Sequence, residues 1–180
     1  SIREMLLQVP IFNETELERT SISNRSTKVF TLNSIYSASK ALLGKTEKKP
    51  VLSKEEELLM KEYWEEIYSN IPEWKGIVNK KISPYDVRKE YVHVHGILLH
   101  ALGMMGHSLI LKYPVQWKSK LKTLNDLDWR KSNKSDWEGR AMVGGRLTKV
   151  GMNITLTNNL LKKKVGLKLE SYISPKSWAA

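Results

Sequence analysis

The feature that most constrains this chain is a stretch of twenty-one residues, Tyr91 to Leu111, that contains no Asp, Glu, Lys or Arg. Its length alone would suffice for a membrane span. Four histidines and three glycines within it argue against a position in lipid. An α-helix that is apolar on all sides can instead form the centre of a globular core. We therefore predict a long buried central helix over about 84–112, in a soluble domain without a membrane partner.

Capping signals predict further helices around this stretch. Ser83-Pro84-Tyr85-Asp86 places a capping Ser before a Pro at the first helical position. Ser53 and Glu56 have the spacing of a capping box. Apolar residues in 32–43 keep a 3.6-residue period, and Gly44 follows as an end signal. The predicted fold class is mainly α, an irregular helical domain.

Turns replace the helical pattern after residue 112. Residues 139–151 contain four glycines, and Val143-Gly144-Gly145-Arg146 fits a two-residue hairpin turn. We predict a small Gly-rich hairpin or loop there, followed by a last helix capped by Thr155 or Thr157. Residues 1–180 are expected to form one domain. Because the chain starts on a helical stripe without a start signal, we also expect it to begin inside a longer protein.

The charge is distributed unevenly along the chain. The formal net charge is +11. Residues 1–110 contain 15 Lys and Arg against 14 Asp and Glu, whereas residues 111–180 contain 15 against 5. This basic subregion, 111–180, is where a polyanion such as nucleic acid would bind. The alternative is a solvated basic surface that aids solubility.

Basic side chains near the Gly-rich stretch and on the last helix are the candidate nucleic-acid contacts. They are Lys131, Lys134, Arg140, Arg146, Lys149, Lys162, Lys163 and Lys164. Backbone N–H groups of the Gly-rich stretch could also meet phosphate oxygens. Trp129 and Trp137 either pack beneath this surface or stack on unpaired bases. Lysines contact phosphate more than they read bases, so the pattern predicts nucleic-acid binding without separating DNA from RNA.

The histidines of the apolar stretch predict packing rather than metal binding. His93, His100 and His107 are seven residues apart, as are Gly96 and Gly103. Seven helical residues advance about 10 Å, whereas a metal–nitrogen bond is about 2 Å. We predict that the glycines allow another helix to approach and that the histidines meet polar groups there. A contact with a second copy of the chain is the alternative.

No catalytic constellation is present in the sequence. There is no cysteine, no dinucleotide-binding GxGxxG and no HExxH. Gly44-Lys45-Thr46 lacks the glycine that a phosphate loop needs five positions earlier. Carboxylates at Asp126, Asp128, Asp136 and Glu138 are a weak signal for a metal-dependent nuclease. We expect no enzyme, no cofactor and no metal.

Several segments together resemble one protein family. In order they are Arg25–Leu32, Arg88–Gly96 with Ala101–Gly103, Trp137–Arg140, and Asn153–Thr157 with Lys163–Leu167. Over roughly 17–170 the chain resembles the C-terminal half of DndB, the DNA sulfur modification family of the DGQHR-domain group. The Asp-Gly-Gln motif that names the wider group is absent, which fits a C-terminal fragment. No catalytic residue carries over, because no position matches one.

The resemblance implies a bacterial cytoplasmic protein linked to DNA phosphorothioation, a regulator that binds promoter DNA of the modification operon and represses it. The first hypothesis is therefore a transcriptional repressor, with 111–180 supplying a basic surface for double-stranded DNA. The second is an assembly or oligomerisation module without direct DNA contact. In that module, helix 84–112 would associate with a second copy or hold the N-terminal half of the same protein.

Overall fold

A computed structural model describes residues 2–19, 21–23 and 25–168; the last twelve residues of the predicted basic subregion lie outside the described residues. Within the described part, nine α-helices account for most of the regular structure. They are α1 Ile2–Leu6, α2 Leu32–Leu42, α3 Lys54–Ser69, α4 Pro72–Val78, α5 Pro84–Glu90, α6 Gly96–Lys112, α7 Trp117–Lys120, α8 Lys134–Trp137 and α9 Gly151–Lys164. Two 3₁₀ helices, Pro10–Glu14 and Leu121–Asp126, complete the helical part. The prediction of a mainly α fold is confirmed.

Two minimal sheets join segments of the described chain. In the first, β1 (Thr15–Glu16) pairs in parallel with β2 (Phe30–Thr31), with Thr15 opposite Phe30. In the second, β3 (Met142–Val143) pairs antiparallel with β4 (Arg146–Leu147). Gly144 and Gly145 connect β3 to β4 with φ angles of 60° and 76°. Two successive positive φ values are typical of the hairpin turn that the Gly-Gly pair predicts, so the predicted hairpin is confirmed.

Helix starts follow the capping residues predicted from the sequence. The Ser53 hydroxyl accepts the N–H of Glu56 at 3.1 Å, and the Glu56 carboxylate accepts the N–H of Ser53 at 3.4 Å, which forms the capping box. The Ser83 hydroxyl accepts the N–H of Asp86 at 3.1 Å. Each such cap is worth about 1 kcal/mol of helix stability. Both predicted starts are confirmed.

The capping prediction for the last helix is wrong. Helix α9 begins at Gly151, with Val150 as a cap that makes no side-chain hydrogen bond. Thr155 and Thr157 lie inside the helix and donate to the carbonyl groups of Gly151 and Asn153, at 3.3 and 2.7 Å. A hydroxyl that bonds four residues back is an alternative to capping, and sequence alone does not separate the two.

The central helix is divided, which corrects the predicted single helix over 84–112. Helix α5 ends at Glu90, residues 91–95 are non-helical, and α6 starts at Gly96. The backbone of the connection pairs with a distant segment: the Val92 N–H donates to Trp129 O at 2.9 Å, and the Lys131 N–H donates to Glu90 O at 2.7 Å. The β-branched Val92 and Val94 favour such extended backbone. The whole stretch is still central, because Val92 and Val94 are buried.

Helix α6 lies between α2 and α9, which are its two main neighbours. A Cβ atom on Gly103 would lie less than 3.0 Å from the backbone carbonyl oxygen of Ala38 on α2. A Cβ on Gly106 would lie equally close to the ring of Tyr63 on α3, whose hydroxyl donates to the Leu102 carbonyl. Gly103 therefore permits the close helix packing predicted for it, and Gly106, which was not part of that prediction, permits close packing of Tyr63. Around these two glycines, the face that the assembly hypothesis assigned to a second copy is covered within the chain.

Aromatic side chains connect the N-terminal segment to the helices. Phe12 packs edge-on against Trp64 with ring centroids 5.7 Å apart, and Phe30 packs against Trp74 at 5.5 Å. All four rings are buried in one contiguous core. Edge-to-face pairs of this kind add about 0.5–1.5 kcal/mol beyond the area they bury. In the described part of the chain, no helix has both the length and the apolar character needed to cross a bilayer.

Candidate nucleic-acid interface

Residues 136–140 run alongside α9 in the opposite direction, so two segments that carry predicted basic residues are neighbours in the fold. Near the end of α9, Lys164 Nζ lies 3.7 Å from a carboxylate oxygen of Asp136. Near its start, the Asn153 side-chain amide donates to Arg140 O at 2.7 Å. Eleven helical residues separate these two contacts, a distance of about 16 Å along the axis. The segment that carries Lys134 and Arg140 therefore lies against the helix that carries Lys162, Lys163 and Lys164.

Lys164 is exposed but paired with Asp136; of the other predicted contacts near α9, four are exposed: Lys134, Arg146, Lys149 and Lys163. Lys162 and Arg140 are partly exposed. Among the described residues, no carboxylate lies within salt-bridge distance of any of these six side chains. Their charges are therefore available to an external anion. We name these six residues the basic strip.

Arg140 and Lys164 are engaged within the chain. One guanidinium nitrogen of Arg140 donates to the carbonyl groups of Ser135 and Asp136, at 3.1 and 2.9 Å. Both carbonyls belong to α8, so Arg140 holds the end of that short helix. The Lys164 ammonium is shared with Asp136. Arg140 thus combines a structural role with its charge, and Lys164 is partly neutralised.

Lys131 lies apart from the basic strip, at the connection between α5 and α6. Its backbone N–H pairs with Glu90, and its side chain is half-buried, which lowers the pKa of its ammonium group. The positive charge of Lys131 also contributes to lowering the pKa of the neighbouring His95. Seven of the eight predicted residues thus belong to α9 or to the segment 134–149 before it, whereas Lys131 lies at the connection between α5 and α6.

The backbone amides at the hairpin tip already hold an anion of the chain itself. The carboxylate of Glu138 accepts the N–H of Gly144 at 2.5 Å and the N–H of Gly145 at 3.1 Å. Two consecutive amides in a positive-φ turn form an anion-binding concavity. The expectation that amides of this stretch meet phosphate is therefore wrong for these two.

Trp129 and Trp137 support the surface from beneath. Their rings stack with centroids 5.5 Å apart, and both are buried. Their indole N–H groups donate to backbone carbonyls of Leu124 and Asp128, at 3.0 and 2.8 Å. Of the two alternatives left open by the sequence, packing is correct, and stacking on unpaired bases is excluded for these rings.

The acidic residues considered for a nuclease site are mostly engaged elsewhere. Asp128 binds the Arg130 guanidinium with both oxygens, at 2.9 and 2.8 Å. Asp136 accepts from Asn133, and Glu138 holds the hairpin tip. Among the described residues, no three His, Asp or Glu side chains come together in a group that could hold a metal ion.

Two of the three histidines predicted to meet polar groups, His93 and His107, find such partners inside the fold. His93 is fully buried; its Nδ1 accepts the Trp74 indole N–H at 3.2 Å, which leaves Nε2–H to donate to Glu73 at 2.9 Å. Burial lowers the pKa of His93 and keeps it neutral. The Leu42 carbonyl lies 3.0 Å from a ring nitrogen of His107.

His95 bonds to a backbone carbonyl through one ring nitrogen, and no other described residue hydrogen-bonds to the second. Its Nε2 lies 3.1 Å from Arg88 O, so this nitrogen carries the proton. Burial, with the charge of Lys131 next in size, lowers the pKa of His95 to about 4. His100 is the exception among the four, because no hydrogen bond to another described residue reaches its half-buried ring.

His95 and His100 both line a cleft that sequence reasoning did not find. The cleft has a volume of about 290 Å³ and lies between the starts of α2 and α6 and the strand end that carries Lys149. A smaller lobe of about 170 Å³ adjoins it and shares Ser34, His95, Gly96 and Lys149. The cleft is lined by residues from 33–37, 95–100 and 147–154. Because these segments are far apart in the sequence, no local sequence pattern predicts the cleft.

Comparison with known proteins gives one match. A family model described as "DndB: DNA-sulfur modification-associated" matches residues 1–168. No curated protein and no solved structure matches the chain.

Proposed function

Because this chain belongs to the DndB family of DNA-sulfur modification-associated proteins, and so takes part in DNA sulfur modification, we propose that it is a DNA-binding transcriptional regulator of a phosphorothioation operon. In this proposal it acts as a repressor, binds double-stranded promoter DNA through the basic strip, and catalyses no reaction. The observation that carries the proposal is the set of six cations along α9 and the hairpin that no described carboxylate neutralises.

The dimensions of the basic strip suit a duplex. The two contacts that join residues 136–140 to α9 are about 16 Å apart along the helix axis, and B-DNA presents one negative charge per about 1.7 Å of its axis. A duplex lying along the strip would therefore place several phosphates within reach of flexible Lys and Arg side chains. The tryptophans beneath are buried, which favours backbone contact over stacking on single-stranded bases.

Counterion release predicts how the affinity depends on salt. Four phosphate contacts give a slope of about −3.6 in log K against log salt, so the affinity should fall about a hundredfold between 50 and 200 mM salt. The three exposed cations Lys134, Arg146 and Lys163 make no ion pair within the described chain. Replacing all three by Ala should reduce the magnitude of that slope by about 2.7.

The experiment is a salt titration of duplex binding, followed by fluorescence anisotropy, for the wild type and the Lys134→Ala, Arg146→Ala, Lys163→Ala triple variant. The matched control is Lys48→Ala, Lys49→Ala, Lys75→Ala, which removes three equally exposed charges far from α9 in the sequence. We expect the first variant to lose most of its affinity and the control to keep it. If both folded variants lost the same affinity for DNA, the binding would be non-specific attraction by net charge, and the basic strip would not be the contact surface.

Repression requires sequence preference as well as affinity. Specific complexes bind their site about 10³-fold or more tightly than unrelated DNA. Binding of the operon's own promoter duplex and of a shuffled duplex should therefore be compared at the same salt. A promoter-driven reporter, with and without the chain, then measures repression. Equal affinity for both duplexes, together with an unchanged reporter, would contradict the regulatory proposal.

A further inference from the structure

The cleft beside Lys149 has polar groups that the fold leaves without partners. The His100 ring is half-buried, and neither it nor the Ser37 hydroxyl bonds to a described residue. The other three histidines of this chain are all bonded. Because both side chains are only half-buried, their polar atoms are accessible from the cleft. Two such groups facing the same cavity indicate a ligand with hydrogen-bonding oxygens or nitrogens.

The charges around the cleft are those of an anion site. Lys149 is exposed at its edge without an ion pair to a described residue. No Asp or Glu occurs among the described residues that line either lobe. Lys131 is close enough to act on His95, which lies in the wall. The positive potential is therefore not compensated locally.

The backbone adds donors to this side-chain set. The lining includes residues from the first turns of α2 and α6, at Asn33 and Ile97. Helix starts carry free N–H groups and a partial positive charge. At the start of α6, a Cβ on Gly96 would come within 3.2 Å of the Ser34 hydroxyl oxygen, so glycine keeps the cleft open at this point.

We propose that this cleft binds the phosphate monoester group of a nucleotide. Lys149 binds the phosphate oxygens as a point charge, while His100 and Ser37 hydrogen-bond to them from α6 and α2. Donors from three directions suit a tetrahedral phosphate, whereas a planar carboxylate offers only two oxygens. The two lobes together fall within the roughly 300–1,000 Å³ that small-molecule sites occupy. The sugar and base would extend into the smaller lobe, past Nδ1 of His95.

Two sources could supply this group: a free mononucleotide, or the 5′-phosphate at the end of a DNA strand. The first arm of the test is calorimetric titration with dAMP, and with deoxyadenosine as the matched ligand that lacks phosphate. We expect dAMP to bind, inorganic phosphate to compete with it, and deoxyadenosine not to bind. The second arm compares duplexes that carry a 5′-phosphate with the same duplexes that carry a 5′-hydroxyl.

Three variants test the cleft, and His100→Leu separates it from the basic strip, to which Lys149 also belongs. His100→Leu removes the imidazole with little change of volume, and Lys149→Glu reverses an exposed charge. Each should weaken phosphate binding about tenfold or more, because a hydrogen bond to a charged group is lost. The triple variant of Lys134, Arg146 and Lys163 should leave dAMP binding unchanged. Thermal unfolding checks that each variant is folded.

The outcomes are decisive for the cleft and distinct from those for the basic strip. Binding of dAMP that His100→Leu weakens supports the free nucleotide as the source. A gain of affinity from the 5′-phosphate that His100→Leu abolishes supports the strand end. The proposal is overturned if neither ligand binds, if deoxyadenosine binds as well as dAMP, or if folded His100→Leu and Lys149→Glu bind as the wild type does. Duplexes with 5′-hydroxyl ends test the basic strip alone, so either proposal can fail without the other.

Discussion

Gly103→Ala should destabilise the protein, although alanine is the better helix former. Gly103 lies inside α6, where the exchange gains about 1 kcal/mol of helix propensity. The added Cβ would lie less than 3.0 Å from the Ala38 carbonyl oxygen. That neighbour is backbone and cannot rotate away, so α2 and α6 must separate.

The size of the effect follows from that separation. Ordinary contacts of a Cβ atom are 3.4–4 Å long. The two helices must therefore move apart by about half an ångström or more. A gap of this size loses a quarter or more of the energy of each dispersion contact between them. Overpacking of this kind costs about 1–3 kcal/mol. A rigid neighbour favours the upper end of that range. After the propensity gain, we expect a net loss of about 2 kcal/mol, which lowers Tm by about 4–8 °C in a chain of this length.

The assay is urea unfolding followed by far-UV circular dichroism, with Gly151→Ala as the matched control. Gly151 is the first residue of α9, and no described atom lies within 4 Å of an added Cβ. The control should therefore be at least as stable as the wild type. A Gly103→Ala variant with wild-type or higher stability, measured at an unchanged m value, would refute the close contact between α2 and α6.

Two further predictions follow from the interface and the buried histidines. Arg140→Ala should lower the free energy of unfolding by about 1–3 kcal/mol, because it removes the donor to two carbonyls at the end of α8. The control Lys134→Ala should change the free energy of unfolding by less than about 0.5 kcal/mol. Equal effects of the two variants in thermal melts would contradict the structural role of Arg140. The folded pKa of His95, about 4, is below its ordinary 6.5, so the unfolded chain binds the proton first and this contribution to stability is lost as pH falls from about 6.5 to 4. Between pH 7 and pH 5 the wild type should therefore lose about 2 kcal/mol more than His95→Gln in urea unfolding; parallel losses would count against burial of the neutral ring.

Local chemistry explains which parts of the fold could be predicted. The caps at Ser53 and Ser83 act within four residues, and the Gly144-Gly145 turn depends on two adjacent φ angles. Patterns of this range are visible in one sequence. The charge asymmetry located the basic strip for the same reason, since α9 and the segment beside it are close in the chain.

Long-range pairing explains what could not be predicted. The break between α5 and α6 depends on backbone bonds to Trp129 and Lys131, almost forty residues away, whereas hydrophobic period alone continues through it. The partners of Arg140 depend on the fold of α8. The cleft requires α2, α6 and α9 to meet at their first turns, and no spacing within any one of these helices encodes that meeting.

Glu138 gives the hairpin its own counter-ion. A carboxylate seated against two peptide N–H groups closes the tip to any other anion unless it is itself pushed out into solvent. If the proposed DNA contact exists, it would be made at this corner by long side chains on the flanks, such as Arg146, which can adjust to a flexible polymer. Backbone N–H groups in a tight turn bind an anion in one geometry only, and here the Glu138 carboxylate occupies that position.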